Sequence, residues 1–228
     1  MGKKKKKFGI CPYCGEMAFL TEDHIIPRCL FKPNTLERAF KADACHECNN
    51  DEKSKDDSFL RDLLVTDKDS QGSSTARLIR SEKYESSVRQ NQSELNRKYI
   101  SEATKLPILT NSGLYVYGQR FSVEKTRLIR IFKRIIIGLS HSLLNIKLDE
   151  KADVTVFKKV TSQEEYDADF EHIKNNLKNG FYTGNLGHTF HFKVQIVNVD
   201  GKLYSYWWLV FYDNVCFFLA ICSPIEDK

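Results

Sequence analysis

The sequence has no long hydrophobic run and no segment with the pattern of a signal peptide, and each absence bears on the class of protein that we expect. No apolar stretch reaches the ~18 residues that a membrane-spanning helix needs, and the most apolar segment, 207–222, is interrupted by Asp213 and Asn214. The lysines at positions 3–7 are followed by an apolar segment, 8–11, that is far too short for a signal peptide. We therefore expect a cytoplasmic protein with no membrane partner.

The sequence also lacks a strong charge excess. Its 35 Lys and Arg residues against 30 Asp and Glu residues give a net charge of +5, which is consistent with a polyanionic partner without being diagnostic of one. Seven cysteines in 228 residues, four of them in two CxxC pairs, fit a reducing compartment with metal binding better than a disulfide scaffold.

The two CxxC pairs predict a structural metal site. The first pair is Cys11 and Cys14, and the second is Cys45 and Cys48. A CxxC turn places two sulfurs on one side of a tight loop, so two such turns can close a tetrahedral zinc site.

Three polar residues beside these pairs predict a second, catalytic site. Asp23 and His24 lie between the pairs, and Asn49 follows Cys48 directly. Carboxylate and amide oxygens suit Mg²⁺ or Mn²⁺, and a neutral imidazole can take a proton from water near neutral pH. Since adjacent residues of a strand point to opposite faces, Asp23 and His24 need a local bend or bulge to serve one site.

In this order, the motifs resemble the HNH nuclease family. The resemblance rests on Cys11 and Cys14, the Asp-His-Ile-Ile-Pro sequence at 23–27, and the segment 45–54. It implies a β-hairpin and a helix around one catalytic metal, with His24 as general base, Asp23 and Asn49 as ligands of Mg²⁺ or Mn²⁺, and the four cysteines as structural zinc ligands. The family usually has a further Asn before the third Cys, and here that position is Phe40, which leaves the bracing of the catalytic loop unexplained.

The resemblance implies a DNA endonuclease that belongs to a bacterial restriction, mobile-element or anti-phage defence system. Three further residues could bind nucleic acid near the site, although ordinary surface charge explains them equally well: Arg28, Lys32 and Lys53. Two alternatives stay open. The chain could be a nuclease subunit that is active only with a regulatory partner such as an ATPase, or as a homodimer, or it could be a zinc-containing nucleic-acid-binding protein without catalysis.

Hydrophobic patterning predicts an α+β fold in several segments. A basic tail (1–7) is followed by a small zinc-stapled ββα-metal module (8–65) and then by a polar linker (66–75). The rest of the chain (76–228) is predicted to be a helical segment with an antiparallel-sheet domain for target recognition or partner docking. Apolar residues at helical spacing predict a helix after Cys48 and a long core helix within 121–144. Alternating apolar residues predict strands at 154–157, 190–199, 204–212 and 215–221, and a polar stretch within 163–179 predicts a further helix.

Overall fold

The computed structural model describes residues 7–32, 40–109, 113–120, 122–148, 153–158, 175, 177, 182–199 and 202–224. Residues 1–6 of the basic tail, most of the helix expected within 163–179, and the turn at 200–201 lie outside the described residues. The described part is α+β, as the sequence predicts, with antiparallel sheets of three, five and two strands. No helix within it is long and apolar enough to cross a membrane.

The three-stranded sheet is formed by β1 (Lys7–Ile10), β2 (Met17–His24) and β3 (Lys41–Cys45), in that order. The first CxxC pair occupies the turn between β1 and β2, where Gly15 has a φ of 75°. This left-handed conformation costs glycine little, and it lets the chain reverse directly after Cys14.

The helix expected after Cys48 is confirmed as α1 (Asp51–Thr66). Asn50 caps it, because its side-chain oxygen accepts hydrogen bonds from the backbone N–H groups of Glu52 and Lys53. Its apolar stripe, which includes Phe59, Leu60 and Leu64, is fully buried.

The segment expected to be a linker is built into the fold. It contains a single turn (Lys68–Ser70) and the start of α2 (Ser74–Ile79), which Ser73 caps. Ser70, Ser73 and Thr75 are buried. A π-helical turn (Arg80–Tyr84), α3 (Glu85–Arg89) and a second π-helical turn (Asn96–Ile100) follow.

The remaining elements confirm the predicted long helix and strands. The hairpin of β4 (Thr104–Leu109) and β5 (Tyr115–Arg120) precedes α4 (Lys125–Leu144). The five-stranded sheet has the order β6-β10-β9-β8-β7, and its strands have the following bounds: β6 Asp153–Lys158, β7 Tyr182–Asn185, β8 Phe190–Val199, β9 Lys202–Phe211 and β10 Val215–Pro224.

Helix α4 connects the two larger sheets. On one side Phe132 packs against Phe217, with ring centroids 4.5 Å apart. On the other side Gly138 approaches the N-terminal module so closely that a Cβ there would lie 2.9 Å from Ile25 and from the Tyr13 hydroxyl. One hydrophobic core therefore contains residues of both predicted domains.

Candidate active site

The four cysteines of the two CxxC pairs lie together, as predicted. The sulfurs of Cys11, Cys14, Cys45 and Cys48 all lie within 4.8 Å of one another, and those of Cys14 and Cys45 are 3.8 Å apart. The backbone N–H of Cys45 donates to Cys11 Sγ at 3.4 Å, and that of Cys48 donates to Cys45 Sγ at 3.4 Å. This grouping fits a metal such as zinc, which binds four thiolates in structural sites.

Backbone donors favour the thiolate form at one of these cysteines. Burial alone would raise the pKa of Cys11, but hydrogen bonds from the backbone around Cys45, Cys14 and Tyr13 outweigh it and lower that pKa. The backbone therefore favours deprotonation, which a metal ligand requires, at Cys11, whereas burial raises the pKa of Cys14 and of Cys48.

Asp23 is buried and neutralised by two cations. Its carboxylate accepts hydrogen bonds at Oδ2 from the Tyr13 hydroxyl at 3.0 Å and from Arg134 Nη2 at 2.7 Å. Lys53 Nζ lies 2.9 Å from Oδ1, yet no donor in the described residues makes a hydrogen bond of good geometry to that oxygen. A hard oxygen of this kind suits a divalent cation, which would have to displace the Lys53 ammonium to reach it.

Asn49 lies where the second CxxC turn, 45–48, leads into α1; we call this turn the second knuckle. Its backbone N–H donates to the Cys45 carbonyl at 3.0 Å, and its side-chain amide donates to Thr21 Oγ1 at 3.3 Å. Thr21 and Asp23 belong to the same face of β2 by strand alternation. Asn49 therefore contacts the face of β2 to which Asp23 belongs.

His24, by contrast, belongs to the opposite face of β2. The pairing with β3 is regular from Leu20 through His24, which pairs with Lys41, so the expected bend or bulge does not occur within the ladder. Burial lowers the pKa of His24, and the positive charges of Arg28 and Lys41 lower it further. The imidazole is therefore neutral near neutral pH, the form that a general base requires.

Phe40 shows how the loop after His24 is braced where the HNH pattern has Asn. Its backbone carbonyl accepts a hydrogen bond from the Ile25 N–H at 3.0 Å. Its ring packs against Phe192 of the five-stranded sheet, with centroids 5.9 Å apart. A backbone hydrogen bond and an aromatic contact thus hold this loop.

The three residues expected to bind nucleic acid differ in their surroundings. Arg28 is exposed and acts electrostatically on His24, whereas Lys32 is half-buried. The Lys53 side chain is only 11% exposed and pairs with Asp23 and with Asp57, the latter at 2.7 Å. Lys53 is therefore held by carboxylates in this arrangement.

Sequence reasoning missed the part that α4 plays at the site. Arg134 binds Asp23, donates to the Cys48 carbonyl, and lies with its guanidinium 4.6 Å from the centre of the Tyr13 ring. Arg127 and Arg130 both bind Asp56 of α1. The sequence feature that could have indicated these contacts is the spacing of the three arginines, which places them on one face of the helix.

A cleft of about 520 Å³ lies between α4 and the N-terminal module. Its lining includes Tyr13, Lys53, Asp57, Arg130 and Arg134, so both acidic and basic side chains line it. No family model, curated protein or solved structure matches the chain.

Proposed function

We propose that this chain is a metal-dependent nuclease of the HNH type that hydrolyses phosphodiester bonds in DNA. The observation that carries the proposal is the order of β2, β3 and α1 around a four-cysteine cluster. In this order Asp23 and His24 end a strand of the hairpin and Asn49 precedes the helix, which supports the proposal, although the regular pairing of β2 with β3 leaves His24 on the strand face opposite Asp23.

His24 is the general base that activates the attacking water. Its lowered pKa keeps the imidazole neutral, so that it can accept the proton of an attacking water. Arg28 is exposed beside it and is suited to hold a phosphate oxygen.

Asp23 and Asn49 are the residues that would hold a divalent cation, which supplies positive charge to the phosphate and to the departing oxygen when bound. The carboxylate of Asp23 and the amide oxygen of Asn49 would supply the hard oxygen donors that such a cation prefers. The four cysteines are proposed to hold zinc, which joins the hairpin to α1 and takes no part in the reaction.

Cleavage of supercoiled plasmid with Mg²⁺ or Mn²⁺ tests this proposal. We expect the wild type to cut and His24→Ala to lose at least about 100-fold in rate, as removal of a general base typically does. His46→Ala is the matched control, because His46 lies in the second knuckle with a side chain 90% exposed. Equal rates for the wild type and His24→Ala would refute the assignment of His24.

One observation favours a second candidate, a nuclease that is latent until a partner binds. Asp23 is held by Lys53 and Arg134, and His24 belongs to the other face of its strand. A regulatory protein such as an ATPase of a defence system, or a second copy of the chain, could release these contacts. In that case Arg134→Gln should raise the basal rate of plasmid cleavage, whereas a rate at or below that of the wild type would count against latency.

Binding without catalysis is the remaining alternative. A non-catalytic zinc protein would bind DNA equally well before and after His24→Ala and would never cut with any divalent cation. The same plasmid assay, combined with a binding measurement, separates it from both nuclease candidates.

A further inference from the structure

The hairpin of β1 and β2 exposes a continuous set of large apolar side chains. Phe8, Ile10, Met17 and Phe19 are between 57% and 60% exposed. We call these residues the aromatic face. Phe8 pairs with Phe19 across the strands, and Ile10 pairs with Met17. All of them therefore lie on one side of the sheet.

The two rings of the aromatic face form a defined arrangement. Their centroids are 5.1 Å apart, with an angle of 65° between the ring planes. Soluble proteins rarely expose contiguous apolar patches larger than about a few hundred Å², and exposed apolar patches rimmed by polar residues often mark interaction sites. The strand β1 is also an edge of its sheet, so a ligand can approach this corner of the module.

Charge that precedes the aromatic face in the sequence indicates the chemistry of its ligand. Five consecutive lysines, at positions 3–7, lead directly into β1 in the sequence. Such a run is complementary to a polyanion. Aromatic side chains beside positive charge suit unpaired bases, because every base has a face that stacks on an aromatic ring.

The aromatic face is also continuous with the candidate site. Met17, Phe19, Thr21 and Asp23 alternate along one face of β2. At ~3.3 Å per residue, Phe19 lies about 13 Å along the strand from Asp23. A strand of nucleic acid that stacks on the rings can therefore extend along this face as far as Thr21 and its partner Asn49, whereas Asp23 itself is buried.

We propose that the aromatic face is a docking surface for single-stranded nucleic acid, which positions an unpaired strand beside the candidate site. This inference rests on the proposed function for its choice of partner, and it deepens that function by naming a substrate with unpaired bases. Stacking on Phe8 and Phe19 provides affinity for single strands, and the lysine run provides contacts to phosphates.

Binding of a fluorescent oligothymidine, compared with a duplex of equal length, tests the inference. The measurement uses the full chain carrying His24→Ala, without added divalent cation, so that no cleavage occurs. We expect the single strand to bind more tightly than the duplex, and Phe8→Ala with Phe19→Ala to weaken single-strand binding about tenfold or more. Replacing Lys4, Lys5 and Lys6 by Gln should reduce the salt dependence by about 0.7 per lysine.

Two further variants keep the test informative. Tyr182→Ala is the matched control, because Tyr182 lies on the edge strand of the other large sheet and is 51% exposed; we expect it to leave binding unchanged. Phe8→Leu with Phe19→Leu retains apolar volume without the rings, so it should weaken single-strand binding as the alanine variant does. Zinc content and circular dichroism establish that each variant is folded.

Several results would overturn the inference. One is a loss of single-strand binding no greater than that of Tyr182→Ala. Another is an alanine variant that binds the single strand as tightly as the wild type but no longer binds vesicles of anionic lipid. A third is an alanine variant with the same single-strand affinity that sediments as a monomer where the wild type sediments as a dimer. These last two results would assign the surface to a membrane or to a second copy. Failure of the wild type to cleave plasmid would refute the proposed function, whereas failure of binding refutes only this inference.

Discussion

Replacement of Asp56 by Asn tests how α4 is held to the N-terminal module. The Asp56 carboxylate is largely buried, and it accepts three hydrogen bonds from two guanidinium groups. Arg127 Nε donates at 2.9 Å, and Arg130 donates through Nε at 2.8 Å and Nη2 at 2.9 Å. Asp56→Asn removes the negative charge and leaves two arginines around a neutral amide.

The magnitude follows from the surroundings of each arginine. Two unit charges ~4 Å apart attract by ~4 kcal/mol at the effective dielectric constant of a protein surface. Arg127 is 10% exposed but retains Glu94 as a second partner at 2.9 Å. Arg130 is 54% exposed, so water screens most of its contribution. Folding of the variant also avoids the cost of removing an ionised carboxylate from water, and this offsets part of the lost attraction. We therefore expect the free energy of unfolding to fall by about 3 kcal/mol.

Urea unfolding followed by tryptophan fluorescence measures this loss, because Trp207 is fully buried in the five-stranded sheet. We expect the transition midpoint to fall with an unchanged slope. Asp51→Asn is the matched control on the exposed start of α1, and it should cost less than ~1 kcal/mol. If Asp56→Asn cost no more than this control, the ion pairs would not hold α4 to the module.

Three other predictions concern the cysteine cluster, α4 and acid stability. Cys45→Ser should lower bound zinc from about one ion per chain to none, measured by elemental analysis, and should lower the melting temperature; an unchanged zinc content would contradict the four-thiolate site. Gly138→Ala should destabilise the fold by about 1–3 kcal/mol, because its Cβ would lie 2.9 Å from Ile25. His141→Ala, at an exposed position of the same helix, is the comparison. Hydrogen bonds from Arg127 lower the pKa of Glu94 from 4.5 to about 2. The ionised carboxylate therefore stabilises the fold above pH 4.5, and about 1 kcal/mol of stability should be lost as the pH falls from 4.5 to 2; Glu94→Gln should remove this dependence.

Features that depend on local spacing could be predicted from the sequence. The CxxC turns fix two sulfurs each, so the cluster of Cys11, Cys14, Cys45 and Cys48 follows from the turn geometry together with one hairpin. Helix α4 and strands β8 to β10 follow from periodicity, since their apolar residues recur at helical or alternating spacing over many positions.

Features that depend on strand register or on partners distant in the sequence could not be predicted from the sequence. The regular pairing with β3 decides whether Asp23 and His24 share a face of β2. The sequence pattern does not predict whether this pairing contains a bulge. The arginines of α4 have a helical spacing typical of a solvated face, but their carboxylate partner Asp56 lies more than seventy residues earlier, at a separation of 71 for Arg127. The polar segment 66–75 indicated a linker, because its serines give no sign that they are buried as turn and cap residues.

Anomalous scattering from crystals grown with Zn²⁺ and Mn²⁺ tests the central claim, a divalent cation shared by Asp23 and Asn49, most directly. We predict a zinc peak at the centre of the four sulfurs and a separate manganese peak between Asp23 Oδ1 and the Asn49 side chain, with Lys53 Nζ moved away from Asp23. A zinc peak alone, with Lys53 still about 2.9 Å from Asp23 Oδ1 at saturating Mn²⁺, would contradict the claim.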